Sequence, residues 1–194
     1  MSDLFEHLRN EVLLCDGAMG SRLQQADLDV EIDYRGQENC SEILNLSRPD
    51  IVREIQLGFI AADADIILTN TFGGSPITLD EFDLGGQAHE INQRAAELAR
   101  EALDAFHRDG ITRYVLGDIG PGTKLPSLGQ ISYDELEAAL AVQSAGLLAG
   151  GVDGIMIETV QDILQLKAAV NGARIAMAKA GREVPLITQV TVET

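Results

Sequence analysis

Tryptophan is absent from this 194-residue chain, and aromatic residues make up only 4% of it. A core built from such a sequence has to be aliphatic, as in α/β proteins whose strands are rich in Ile, Leu and Val. Cysteine is scarce as well. Cys15 and Cys40 give no disulfide framework, and that scarcity suits a reducing cytoplasm. Basic residues number 14 against 31 acidic ones, for a net charge of −17. This balance repels nucleic acid and anionic membrane, so neither is expected as a partner. No apolar run is long enough to span a bilayer, and the opening MSDLFEHLRNE is too charged for a secretory signal. The length suits one domain with a real hydrophobic core, taken here as 1–194, and is short for two.

What the sequence does contain is an alternation. β-rich runs occur at EVLLCD (11–16), DIILTN (65–70), RYVLGD (113–118), GIMIE (154–158) and PLITQVTVE (185–193). Helical patterns lie between them. One is expected to start at Ser47 as N-cap with Pro49 in its first turn, and another to run from His89 to His107. A third opens on the capping-box pair Ser132 and Glu135, and a fourth covers about 161–180 and ends near Gly181. Strands that are apolar throughout, alternating with helices, predict a parallel sheet with crossover helices. A faint repeat points further. GFIAADADIILTNT (58–71) aligns without gaps on GLLAGGVDGIMIET (146–159), matching Gly58 with Gly146, Asp65 with Asp153 and Thr71 with Thr159. A repeated helix–turn–strand unit is what a (β/α) barrel is made from.

Four of the runs finish on a polar side chain: Asp16, Asn70, Asp118 and Glu158. The C-terminal strand edge is the site side of a parallel α/β fold, so these four are expected to converge on one face. Three carboxylates and an amide, with threonines beside them, suit a ligand ammonium group or a divalent cation. The Gly17 and Gly20 turns can offer N–H groups to a carboxylate. An α-amino acid carries both groups. Capping a helix or closing a turn explains Asp118 and Thr71 equally well, whereas Asp16 and Glu158 each end an otherwise apolar run. DGAMG is neither a P-loop nor a GxGxxG fingerprint. His7, His89 and His107 read as solvated helix surface, Cys15 as strand packing, and Cys40 as a free loop thiol. No His/Cys spacing suggests a zinc site.

Taken together, LLCDGAMG, ILNLSRPDIV, ADIILTNTFG, YVLGDIGPGTKLPSLG and GIMIETVQDILQLKAAV resemble the homocysteine S-methyltransferase family. The GDIGP…LP…LG loop is most similar to the amino-terminal barrel of the cobalamin-dependent methionine synthases. The resemblance implies a (β/α)8 TIM-type barrel of which about the first five β/α units are present. It implies that homocysteine binds at the barrel's C-terminal face. Asp16 and Glu158 would then hold its amino group, and the backbone of Gly17, Ala18, Met19 and Gly20 its carboxylate. Asn70, Thr71 and Asp118 would line the same mouth.

The family's zinc is held by three cysteines, an NC motif at the sixth strand and a later CC pair. The sequence given stops at VTVET, just after the fifth strand run, and Cys15 and Cys40, the latter in the loop QENCSE, do not match these motifs. Zinc turns the substrate thiol into a thiolate, the nucleophile of methyl transfer. The resemblance therefore implies a homocysteine-binding portion, inactive by itself and completed by a carboxy-terminal barrel segment or a complementary chain. Methylcobalamin on another module is the implied methyl donor, with cobalamin and folate modules as partners. The alternative is a standalone, non-catalytic amino-acid-binding module that oligomerises through open sheet edges.

Overall fold

The computed structural model describes residues 3–106 and 111–192. Along the chain lie α1 (Asp3–Asn10), α2 (Met19–Gln25), a 3-10 turn (Ser41–Ile43), α3 (Leu44–Ser47) and α4 (Pro49–Ala61). Then come β1 (Ile66–Leu68), α5 (Pro76–Leu79), α6 (Ala88–Ala105), β2 (Tyr114–Ile119) and α7 (Tyr133–Ala149). β3 (Gly154–Val160), α8 (Ile163–Ala180) and β4 (Leu186–Val190) complete the order. The four strands pair in sequence order and all in parallel, with helices as crossovers. The capping box at Ser132 and Glu135 is formed as expected, and Gly181 closes α8 in the left-handed conformation. The expected end of α6 at His107 lies outside the described residues. Among those described, no helix is long and apolar enough to cross a membrane.

Four local expectations are corrected. The run 11–16 is not a full strand: only Cys15 bridges to Ile66. Its hydrogen bonds run to one side, from the Asp65 and Ile66 amides to Leu14 O and from the Asp16 amide to Ile66 O. No described strand flanks its other edge, and Val12 and Leu14 are 90% and 58% exposed. The two cysteines exchange their expected places: Cys15 is exposed on this edge, whereas Cys40 is fully buried with Ile43, Leu79 and Ile91. Ser47 is not an N-cap, because a short α3 precedes α4 and its hydroxyl donates to Ile43 O; Arg48 occupies the cap position. His7, expected in solvent, packs edge-on against Tyr114, with ring centroids 5.8 Å apart.

The period of two along the strands divides the sheet cleanly. Ile67, Val115, Ile155 and Ile157 face the helices and form the main core with Ala96, Ala99, Leu147 and Ala173. Alanine and glycine let those helices come close. A Cβ on Gly146 of α7 would lie 2.5 Å from the His89 carbonyl of α6. Ile66, Tyr114 and Leu116 point the other way, against Leu4 of α1. Asp118 continues that inner face two residues beyond Leu116, and Glu158 two beyond Met156. The inner face is thus apolar at one end and acidic at the other.

The repeat is visible in space. Asp63 (φ 66°) and the aligned Gly151 (φ 92°) both take the left-handed turn between helix and strand. Asp65 Oδ2 accepts the Leu14 amide at 2.9 Å, and the aligned Asp153 Oδ2 accepts the Val115 amide at 2.8 Å. Each copy uses the same aspartate to tie its strand to the extended segment before it, the run 11–16 for β1 and β2 for β3.

Candidate functional site

A cavity of about 510 Å³ opens at the C-terminal ends of the strands. Its lining includes Asp16, Gly17, Ala18, Met19, Gly20, Asn70, Thr71, Asp118 and Glu158, together with Glu42, Thr69, Phe72 and Glu81. No Lys, Arg or His stands among its lining residues. A larger groove of about 710 Å³ lies on the outer helices, lined mainly by residues of α7 and α8, and gathers no comparable set of acids.

Much of the cavity wall is held by side chains whose donors are spent within it. Asn70 Nδ2 donates to Ser41 O at 2.7 Å and to Asn45 Oδ1 at 3.2 Å, while Asn45 Nδ2 donates to Asn70 O at 2.8 Å. The Thr71 hydroxyl donates to Asp118 O at 2.7 Å, and Thr69 Oγ1 accepts the Asp118 amide at 2.9 Å. Thr69 and Thr71 therefore clamp the β1 end onto β2. Buried amides of the helices pin the loops: Gln143 of α7 donates to Thr71 O at 2.8 Å, and Asn92 of α6 to Gly74 O at 2.7 Å. A Cβ on Gly17 would lie 2.9 Å from Cε1 of the half-buried Phe59 ring, whereas a Cβ on Gly20 would meet nothing within 4 Å. Met19 and Gly20 begin α2, and the first-turn amides of a helix have no partner within it.

The carboxylates are the chemically distinctive part. Asp118 is buried, and its Oδ1 has no hydrogen-bond partner among the described residues. Burial pushes its carboxyl well above the ordinary range, and Glu158, through charge and a hydrogen bond, with Asp16 and Glu42 beyond, pushes the same way. Asp16 is half-buried and raised to about 6, first by burial, against the Leu68 amide that donates to its Oδ2 at 2.9 Å. Glu42 is buried and also raised by burial, although it accepts the Gly73 amide at 2.7 Å. Sequence reasoning missed Glu42. It stands in QENCSE, far from any strand end, and only the return of that loop over the Gly73 turn brings it to the cavity. The sole signal was an acid beside an otherwise apolar ILNL stretch.

The residues present do not fit zinc. Zinc sites gather Cys, His or carboxylate donors around one point. Among the described residues no three such side chains are so gathered. Burial pushes the Cys15 thiol to about 12 and the Cys40 thiol to about 11, which disfavours the thiolate form. Cys15 is exposed as a residue, yet its sulfur lies 3.6 Å from Asp16 Oδ1, whose charge adds to that effect.

The profile of the homocysteine S-methyltransferase family matches residues 13–194. The chain belongs to this family. Along its whole length it is 45% identical to the methionine synthases of Mycobacterium leprae and Mycobacterium tuberculosis, over 193 residues. It spans only 16% of either relative. Among solved structures, the homocysteine methyltransferase MmuM from Escherichia coli in its metallated form superposes with a TM-score of 0.78 at 20% identity. That match covers 98% of this chain and 67% of the MmuM chain. The apo form gives a TM-score of 0.70 at 22% identity, covering 96% and 62%. At this identity the likeness speaks for the fold: four parallel strands and their helices correspond to about two-thirds of the MmuM chain.

Proposed function

We propose that the cavity binds the amino-acid end of homocysteine, as the substrate-binding part of a methionine-synthase-type methyltransferase. One observation carries this reading: five carboxyl groups, Asp16, Glu42, Glu81, Asp118 and Glu158, line a cavity whose lining includes no cationic side chain, and one buried oxygen of Asp118 is unpaired among the described residues. Such a site lacks a positive charge, and an ammonium group supplies both that charge and three donors. Asp16 and Glu158 accept from the ammonium, and Asp118 stands beside them. The backbone amides from Gly17 to Gly20 meet the substrate carboxylate. Asn70 and Thr71 hold the wall.

Residues 1–194 then constitute one partial (β/α)8 barrel of a cytoplasmic protein. A carboxy-terminal barrel segment or a complementary chain contributes the remaining strands. Zinc, which the described residues do not fit, would be held by that segment or chain and would supply thiolate chemistry, and a methylcobalamin module would supply the methyl group. The contribution of this chain is to bind and orient. Calorimetric titration tests it: homocysteine binds, its desamino analogue 4-mercaptobutyrate does not, and Glu158→Gln weakens binding about tenfold or more. Equal affinity for both compounds refutes the ammonium assignment.

The exposed apolar side chains along both sheet edges, Val12 and Leu14 on one and Val190 and Val192 on the other, favour a second reading. There the chain is a non-catalytic binding module whose edges pair between copies. A monomer by light scattering at high concentration excludes it.

A further inference from the structure

Thr159 is the one position on β3 where backbone conformation and side-chain type conflict. It has φ 58°, in the left-handed region that β-branched residues seldom enter. Glycine, Asn and Asp occupy that region far more readily. The register explains where the conflict arises. Ile157 pairs with Thr188 and Val160 with Val190, so three steps along β3 match two along β4. One extra residue is accommodated, a β-bulge. Without it, strict alternation would turn Val160 to the inner face. With it, Val160 is buried in the helix-side core beside Ile155 and Ile157, and Glu158 is the last residue directed to the inner face. The Thr159 hydroxyl then donates to Glu158 Oε2 at 3.0 Å.

We infer that Thr159 is a positioning residue: its bulged, left-handed backbone ends the inner face at Glu158, and its hydroxyl fixes the rotation of that carboxylate toward the ligand's ammonium. The inference rests on the reading of Glu158 as an ammonium partner. Strain of this kind persists only where the surroundings over-determine it, and it gathers at binding and catalytic sites. Here the surroundings are the buried Val160 and the Thr191 amide, which donates to Val160 O at 2.9 Å.

The test is calorimetric titration of the full chain with L-homocysteine, alongside thermal melts. Thr159→Val keeps the shape and removes the hydroxyl, and is expected to weaken binding about tenfold. Thr159→Ser restores the hydroxyl and is expected to bind like the wild type. Thr159→Gly accepts the backbone conformation without strain, so its melting temperature holds or rises while its affinity falls. A merely structural threonine would lose stability and affinity together and would not separate the two. Wild-type affinity in Thr159→Val, or a Thr159→Ser variant as weak as Thr159→Val, overturns the inference. Glu158→Gln serves as the control. If it weakens binding and Thr159→Val does not, only the positioning role falls. If Glu158→Gln binds like the wild type, or the wild-type chain binds no homocysteine, the ammonium reading falls and the role of Thr159 with it.

Discussion

Replacing Asp16 by Asn keeps the side-chain shape, and an amide oxygen can still accept the Leu68 amide that Oδ2 accepts at 2.9 Å. What disappears is a charge in a half-buried, acidic place. The Asp16 carboxyl is raised from 3.8 to about 6, by burial first and with Glu158 adding. At 1.36 kcal/mol per pH unit, that difference costs the folded state about 3 kcal/mol once the group is ionised. Water entering from the cavity screens part of this, leaving about 1–2 kcal/mol. The sign follows from proton counting. Between pH 3.8 and about 6 the folded chain holds the proton that the unfolded chain has released, so stability falls as pH rises through this window. The cost is full above about pH 6 and absent below about pH 4. Asp16→Asn is therefore expected to raise the melting temperature at pH 8 by about 2–8 °C for a domain of this size. At pH 4 it should match the wild type, and at pH 8 it should bind homocysteine more weakly. Urea unfolding at both pH values is the assay. A variant less stable than the wild type at pH 8, or a gain that does not change with pH, refutes the electrostatic reasoning.

Two further substitutions probe the frame. Gly146→Ala improves helix propensity by up to about 1 kcal/mol but sets a Cβ 2.5 Å from the His89 backbone carbonyl. The overpacking outweighs the gain, so thermal melts should show a net loss of about 1–2 kcal/mol; a more stable variant would mean that α6 and α7 separate freely. Asn45→Leu removes the donor to Asn70 O in a fully buried place, and should cost about 1–3 kcal/mol. Amide exchange across residues 69–75 should quicken, and unchanged exchange would mean that the wall does not depend on Asn45.

Periodicity made the repeating strands and helices legible, because a parallel sheet between helices leaves a long apolar record in sequence. Tyr114–Ile119 and Gly154–Val160 nearly coincide with RYVLGD and GIMIE. The run 11–16 carried the same apolar signal without forming a strand, since pairing depends on a neighbour and not on composition alone. The cysteines failed for a related reason. Cys40 looked like a loop thiol because its neighbours are polar, yet the loop folds back and seals it under Leu79 and Ile91. At the cavity, the strand-end argument found the acids that alternate inward, Asp118 and Glu158. It could not find Glu42, whose place depends on a long-range return of the chain. It also could not distinguish an acid that faces the cavity from an amide consumed by the wall, as Asn70 is.

That distinction is built into the repeated unit. Both copies precede their strand with an aspartate tied to the extended segment before it, Asp65 to Leu14 of the run 11–16 and Asp153 to Val115 of β2. Both close with a threonine whose hydroxyl is directed at an acidic residue of the cavity. Thr71 donates to the backbone of Asp118, which fixes where that strand ends, and Thr159 donates to the carboxylate of Glu158 itself. The copies differ at the residue between. Asn70 faces Ser41 and Asn45, groups that an amide can satisfy and a carboxylate cannot, because Asn70 donates to both oxygens. Glu158 has no such wall, and the bulge after it turns the chain away toward α8. One unit, used twice, thus follows β1 with an amide whose N–H groups are spent on the wall and ends the inner face of β3 with a carboxylate. At β1 the charge that an ammonium group would need comes from outside the repeat, from Asp16 and Glu42, which accept the amides of Leu68 and Gly73.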